Sequence, residues 1–298
     1  MKVLVTGGAG LIGSNLCKLL LEQGNEVICI DNFKPGVVQN IEGCLSNTNF
    51  KLLEYDISNC IPKVEVDLIY NLASPTAPGH FKESPIATIK ANVMGTMNIL
   101  ELALIRKIPV VHISSIRTLE PSNTFTSSAC YIESKRCSET ICFEYLNNGV
   151  NVNVVRLFNV YGEGMRLDDS RVIPNFILKA LKNETLDIFG GSQVDSFCYV
   201  TDIVLALIEI SKMNLNTPIN IGSGKFISIN DLAKLIINIT KSSSKLNIIE
   251  NTEYANSFSR STISINNLPY WKEKVTLEDG IMIMNNYYKN LVSESLKG

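Results

Sequence analysis

The sequence predicts an α/β protein: a doubly wound parallel sheet covered by helices, followed by a smaller C-terminal lobe. Three observations carry this. Short apolar runs of strand length alternate with helical patterns up to residue 159. A glycine-rich turn joins the first strand to the first helix. Beyond residue 159 the alternation loosens. Strands joined through helices run parallel, both faces of such a sheet are covered, and its ligand crevice lies beyond the carboxyl ends of the strands.

KVLVT (2–6) reads as a short buried strand and LIGSNLCKLLLEQG (11–24) as a helix stopped by Gly24. EVICID (26–31), FKLLEYD (50–56) and VDLIYNLA (66–73) are the next strands. Residues 84–107 form a long helix with Pro85 in its first turn. IPVVHISS (108–115) is a fifth strand, residues 129–148 a second long helix, and NVNVVRLFN (151–159) a sixth strand. Further on, 171–184 looks helical and 186–193 like a strand and turn. A helix over 201–212 has Thr201 as its candidate cap, 218–224 returns to strand, and helices over 228–239 and 276–290 follow. The division expected is 1–159 with about 198–225 in the sheet domain, and about 160–197 with 226–298 in the smaller lobe.

The 298 residues are 45% hydrophobic and 19% charged, ordinary values for a globular enzyme. A net charge of −2 gives no electrostatic reason to expect nucleic acid or an acidic membrane surface. No apolar run approaches the roughly 18 residues of a membrane span. MKVLVTGGAG reaches glycines too early for a signal peptide. The eight cysteines include no CxxC pair and the two histidines sit in no ligand spacing. Buried reduced thiols, a cytoplasmic location and no metal are therefore expected.

VTGGAGLIGSNL fits G-x-G-x-x-G between a strand and a helix. Gly7, Gly10 and Gly13 let the backbone approach a pyrophosphate, and the helix start at Leu11 and Ile12 supplies N–H donors and partial positive charge. Asp31, closing the next strand, would bind the adenosine ribose hydroxyls and repel a 2′-phosphate, so NAD is favoured over NADP, with Lys34 the argument against. Asn32 follows it at the same edge.

Tyr131 stands four residues before Lys135, which stacks the two on one helix face. The serines of ISS (113–115) precede them. With TGGAGLIG, YNLAS (70–74), NVMGTMNILELA (92–103), VRLFNVYGEG (155–164) and YVTDI (199–203), this pattern resembles the extended short-chain dehydrogenase/reductase family of nucleotide-sugar epimerases, dehydratases and decarboxylases. LASPTAP (72–78), ACYIESKRCSET (129–140) and RVIPNFI (171–177) look most like its UDP-glucuronate decarboxylases.

The resemblance implies a Rossmann-type fold binding NAD, a UDP-sugar substrate and transient oxidation at sugar C4. Tyr131 would be the base, its phenol (ordinary pKa about 10) made acidic by Lys135 and by oxidised NAD. Ser115 would hold the sugar hydroxyl, and Lys135 would also bind the nicotinamide ribose. Carried over by position, Asp56 and Ile57 would flank adenine, Ala73 would line the adenosine pocket, and Leu72 and Ser74 would also bind the cofactor. Asn92 would lie near nicotinamide, with a buried structural role as the rival reading, and Ser114 would face the cofactor. Asn159, Arg171 and Arg260 would meet the sugar nucleotide. The long helices would pair between subunits into a homodimer.

Two positions depart from the family pattern. Ile116 and Arg117 stand where family decarboxylases carry a glutamate and 4,6-dehydratases an Asp-Glu pair, which argues against dehydratase activity. Glu120 would need a three-residue slip to replace it, while Arg117 would suit an anionic substrate group or be an exposed loop arginine. Asp195 replaces a substrate-contacting arginine, so Arg166, Arg171 or Arg260 would have to cover a diphosphate. A 4-epimerase, a C4 dehydrogenase and, from another class, a non-catalytic NAD-binding sensor or scaffold are the competing readings.

Overall fold

The computed structural model describes residues 1–121, 125–126, 128–190, 193–249, 263–265, 268 and 271–295. Two compact units divide the chain: Met1–Leu157 with Ile203–Ile221, and Phe158–Asp202 with Gly222–Gly298.

The first unit is built on a parallel seven-stranded sheet. Its strands are β1 (Lys2–Thr6), β2 (Glu26–Asp31), β3 (Phe50–Glu54), β4 (Leu68–Asn71), β5 (Val110–Ser115), β6 (Val152–Leu157) and β10 (Ile219–Ile221). The spatial order is β10-β6-β5-β4-β1-β2-β3, so the winding reverses between β1 and β4. Thr6 and Asn71, the last residues of β1 and β4, pair at that reversal, and Asn71 also pairs with His112 inside β5.

Apolar side chains explain the sheet's burial. Leu4, Ile28, Ile30, Ile69, Val110, Val152 and Val154 pack with Ile99, Leu100 and Ala103 of helix α4 (Pro85–Arg106) and Cys142 of α5 (Ala129–Asn147). Pro85 occupies the first turn of α4, where its missing N–H has no intrahelical partner to lose. Lys107 ends α4 at φ 56°, in the left-handed region. Helix α1 (Leu11–Glu22) covers β1 and β2 and stops before Gly24 at φ +77°. Two short helices, α2 (Glu42–Leu45) and α3 (Pro78–Glu83), lie in stretches with no periodic pattern to announce them.

The second unit contains β7 (Asn159–Tyr161), β9 (Val194–Tyr199) and β11 (Phe226–Ser228) in one sheet, with β9 central. Strands β8 (Leu186–Phe189) and β12 (Leu246–Ile249) form a parallel pair. Helices α6 (Val172–Leu181), α8 (Ile229–Thr240) and α9 (Leu277–Ser295) pack on one another. The strand read over 151–159 divides at Phe158, because Asn159 onward pairs with β9. Thr201 is not a cap: α7 (Val200–Ile210) starts one residue earlier. Asp202 in its first turn accepts instead from the backbone N–H groups of Lys274 and Val275 at 3.0 and 2.9 Å.

Candidate active site

At the end of β1 the chain turns through Gly7 at φ +69°. A Cβ there would lie 2.8 Å from the Ala73 backbone nitrogen, and one at Gly13 would lie 2.2 Å from the Gly7 carbonyl oxygen. Only glycine permits this closeness, and the surface it leaves is bare backbone. Ser14 makes the first intrahelical bond, to Gly10 O, so the amides of Leu11, Ile12 and Gly13 precede it as first-turn donors. That cradle fits a pyrophosphate.

Asp31 ends β2 beside it. Its carboxylate accepts from Ala9 N and Phe33 N, each at 2.9 Å, and is buried. Burial raises its pKa above the ordinary value, against the lowering by those amides. A Cβ at Gly36 would sit 2.8 Å from Asp31 Oδ1, so the carboxylate edge stays open only because residue 36 is glycine. These groups suit the ribose hydroxyls of NAD.

Asn32 Nδ2 donates to Asp56 Oδ2 at 3.1 Å, and Lys34 Nζ is 3.4 Å from the same oxygen. Burial opposes the charge on Asp56, but hydrogen bonds from Ser58 and Asn32 and the Lys34 charge outweigh it and lower the pKa. Lys34 thus answers to Asp56. The side chain of Ile57 belongs to the core and reaches the space above Gly95. Its carbonyl accepts from Asn98 Nδ2 at 2.8 Å. After β4, Leu72 N donates to Thr6 O and Ala73 N to Thr6 Oγ1, while Ser74 Oγ is buried without a partner among the described residues.

Tyr131 and Lys135 occupy the buried side of α5. Tyr131 stacks on Phe81 of α3, with ring centroids 5.3 Å apart and planes at 13°. Lys135 is 3% exposed, and its Nζ donates to Ile113 O at 2.7 Å. Burial pushes its pKa down to about 8, against the pull of Cys142 and Glu139. The cation is therefore anchored to β5 two residues before Ser115. Ser115 Oγ accepts from Arg117 N at 3.2 Å, leaving its own hydrogen to donate. Asn92 is buried and donates to Ser134 Oγ at 2.9 Å; its Oδ1 has no partner among the described residues.

Ser114 departs from the cofactor-facing role. Its hydroxyl donates to Glu139 Oε1 at 2.5 Å, because alternate residues of β5 point to opposite faces. Thr118 Oγ1 donates to the same oxygen at 3.0 Å, and Arg156 pairs with Glu139 in fork geometry. Glu139 was not anticipated. The available signal was its place four residues beyond Lys135 on the same helical stripe.

Arg117 lies in the 3₁₀ turn Ile116–Leu119. Its Nε donates to Glu120 Oε1 at 3.2 Å and its Nη2 to Ser128 Oγ at 3.3 Å. The turn thus puts a carboxylate against Arg117 with no shift in register. In the second unit, Asn159 Nδ2 donates to Ser196 O at 3.3 Å. Arg171 is forked onto Asp169 and Arg166 onto Asp168. Asp195 pairs with Ile227 in the β9–β11 ladder. Arg260 lies outside the described residues.

Comparison with known proteins agrees with this architecture. The NAD dependent epimerase/dehydratase family matches residues 3–222. UDP-glucuronic acid decarboxylase 1 of Danio rerio is 36% identical over 296 residues, covering 94% of this chain and 71% of that protein. UDP-glucuronic acid decarboxylase 6 of Arabidopsis thaliana is 35% identical over 306 residues, covering 97% and 89%. UDP-glucose 4-epimerase of Thermotoga maritima, solved with UDP-glucose, superposes at a TM-score of 0.83 with 25% identity, over 98% of this chain and 100% of that one. Among the described residues no group of His, Cys, Asp and Glu could hold a metal ion, and no helix is long and apolar enough to cross a membrane.

Proposed function

The chain belongs to the NAD dependent epimerase/dehydratase family, and from that premise we propose that it decarboxylates a UDP-hexuronate by way of transient oxidation at C4. The observation that carries the chemistry is the buried Lys135 ammonium, fixed to Ile113 O one helical turn from Tyr131. Bound NAD supplies the acceptor and later the donor of hydride. The chain's own residues do the rest. The glycine turn and Asp31 hold the cofactor. Ser115 donates to the sugar hydroxyl oxygen and orients it. Tyr131, as phenolate, accepts the hydroxyl proton, and Lys135 keeps that phenolate charged. A ketone at C4 lies β to the C6 carboxylate, so the C5–C6 bond breaks with loss of carbon dioxide and its electron pair passes to the C4 enolate. The pentose then takes a proton at C5.

The decarboxylase reading is supported by the names of relatives matched along nearly the whole chain. Arg117 supplies a cation for the carboxylate, with Glu120 as its resting partner. The same pair favours a second reading. An arginine neutralised by Glu120, together with Asp195 in place of arginine, suits a 4-epimerase or a net C4 dehydrogenase acting on a less anionic sugar. Mass spectrometry after incubation with UDP-glucuronate decides: the expected products are carbon dioxide and a UDP-pentose. Loss of two hydrogens means dehydrogenase, and unchanged mass with inverted C4 means epimerase. Tyr131→Phe should keep NAD binding and lower kcat by about 10²–10⁴-fold; normal turnover in that variant would reject the proposed base.

We also propose a homodimer through α4 and α5. Ile86, Met97 and Ile105 of α4 and Phe143 of α5 are exposed apolar side chains on two helices that pack on each other.

A further inference from the structure

A chain of buried hydrogen bonds runs beneath the site, and the chemistry above makes no use of it. Ala73 N donates to Thr6 Oγ1 at 3.4 Å, and Thr6 Oγ1 donates to Asn71 Oδ1 at 2.8 Å. Asn71 Nδ2 faces His112 Nδ1 at 3.1 Å and Thr96 Oγ1 at 3.4 Å. Across the ring, His112 Nε2 is 3.0 Å from Ser138 Oγ, which donates to the Lys135 carbonyl at 2.8 Å. Thr6, Asn71, Thr96, His112 and Ser138 are all buried.

The partners at both ends place the ring proton. Thr6 Oγ1 accepts from Ala73 N and donates its hydrogen to Asn71 Oδ1, and with that oxygen engaged Asn71 presents its NH₂ to the imidazole. Nδ1 must therefore accept. The Ser138 hydrogen goes to the Lys135 carbonyl, so Ser138 accepts and Nε2 must carry a hydrogen. Two independent arguments give the same neutral tautomer. The elements around the ring bring Thr6 from β1, Asn71 from β4 and Thr96 from α4, none charged. Burial first, and then the Lys135 charge from α5, keep its pKa well below the ordinary imidazole value.

We propose that His112 is a positioning residue: a neutral Nε2–H imidazole that ties the backbone of Lys135 to Thr6 and Ala73 at the glycine turn. It thereby sets the height of the Tyr131–Lys135 helix against the cofactor cradle. The chain links the two halves of the site on either side of the β1–β4 reversal. A displacement of about 1 Å at the reacting groups is enough to lower a rate by about a hundredfold. The consequence for turnover rests on the proposed function; the tautomer does not.

The chain has two histidines, His80 and His112, so ¹⁵N-histidine NMR of the NAD-loaded protein reads the ring directly. The expected spectrum has one imidazole with a slowly exchanging Nε2–H, unchanged between about pH 6 and 8. Assignment of His112 as Nδ1–H, or its protonation within that span, overturns the proposal. His112→Leu should lower kcat about tenfold or more with KM for the sugar nucleotide within about twofold, because alignment and not binding is lost. His112→Gln, which offers a donor and an acceptor, should recover most of that loss. A leucine variant that melts earlier but turns over normally shows a merely structural role and overturns the proposal. If His112→Leu does not fold, Ser138→Ala removes the link to Lys135 while keeping the ring, and is judged by the same split. Should the wild type act on no nucleotide sugar, the proposed function fails, and the NMR result alone judges His112.

Discussion

Burial at Lys135 works against the charge its role requires. An unfolded lysine titrates near the ordinary 10.5, whereas this one is pushed down to about 8. Below the lower value both states hold the proton, and the folded protein bears the full penalty of a buried cation. Between about 8 and 10.5 the folded state has lost a proton that the unfolded state keeps, so this residue's contribution to stability improves as pH rises. Lys135→Met is therefore expected to raise the urea-unfolding free energy at neutral pH by about 1–3 kcal/mol while abolishing turnover. A variant that is both inactive and less stable would contradict this. The Tyr131–Lys135 pair was legible because helical spacing alone puts the two on one face. His112 and Glu139 were not. Their partners arrive from other strands and from α5, and lateral neighbours across a parallel sheet are far apart in sequence. Ser114 shows the converse limit: position in a motif does not say which way a side chain turns.

Among the elements, α4 shows how a helix end can be set by packing against local preference. Lys107 adopts φ 56°, which brings the next N–H, that of Ile108, to Ala103 O at 3.0 Å and turns the chain toward β5, although a lysine side chain gains nothing in that conformation. The side chain is exposed, so replacing it removes no packing. Lys107→Gly should stabilise the protein by about 0.5–1 kcal/mol, measured as a raised urea midpoint with unchanged slope. The long elements of the first unit were readable from periodicity, as were α6, α8 and α9. Short strands such as β9, β11 and β12 were not, since three to six residues of mixed character declare no period. Their pairing is made by strands distant in sequence: β9 has β7 and β11 on its two sides, and β12 lies beside β8.

At the scale of the whole molecule, the apolar stripe on α4 and α5 gives the homodimer its test. Sedimentation at micromolar concentration should show a dimer, and Met97→Glu with Ile105→Glu should yield monomer; a wild type that sediments only as monomer removes the proposal. The order of synthesis adds a constraint of a different kind. Strand β10 is the outer partner of β6, yet the whole of Phe158–Asp202 is translated between them. While a nascent chain waits on the ribosome, Val152–Leu157 shows the cell an open row of amides and carbonyls bordered by valines. A stalled or prematurely terminated product would carry that sticky border permanently, and chaperone demand should peak during translation of this insert.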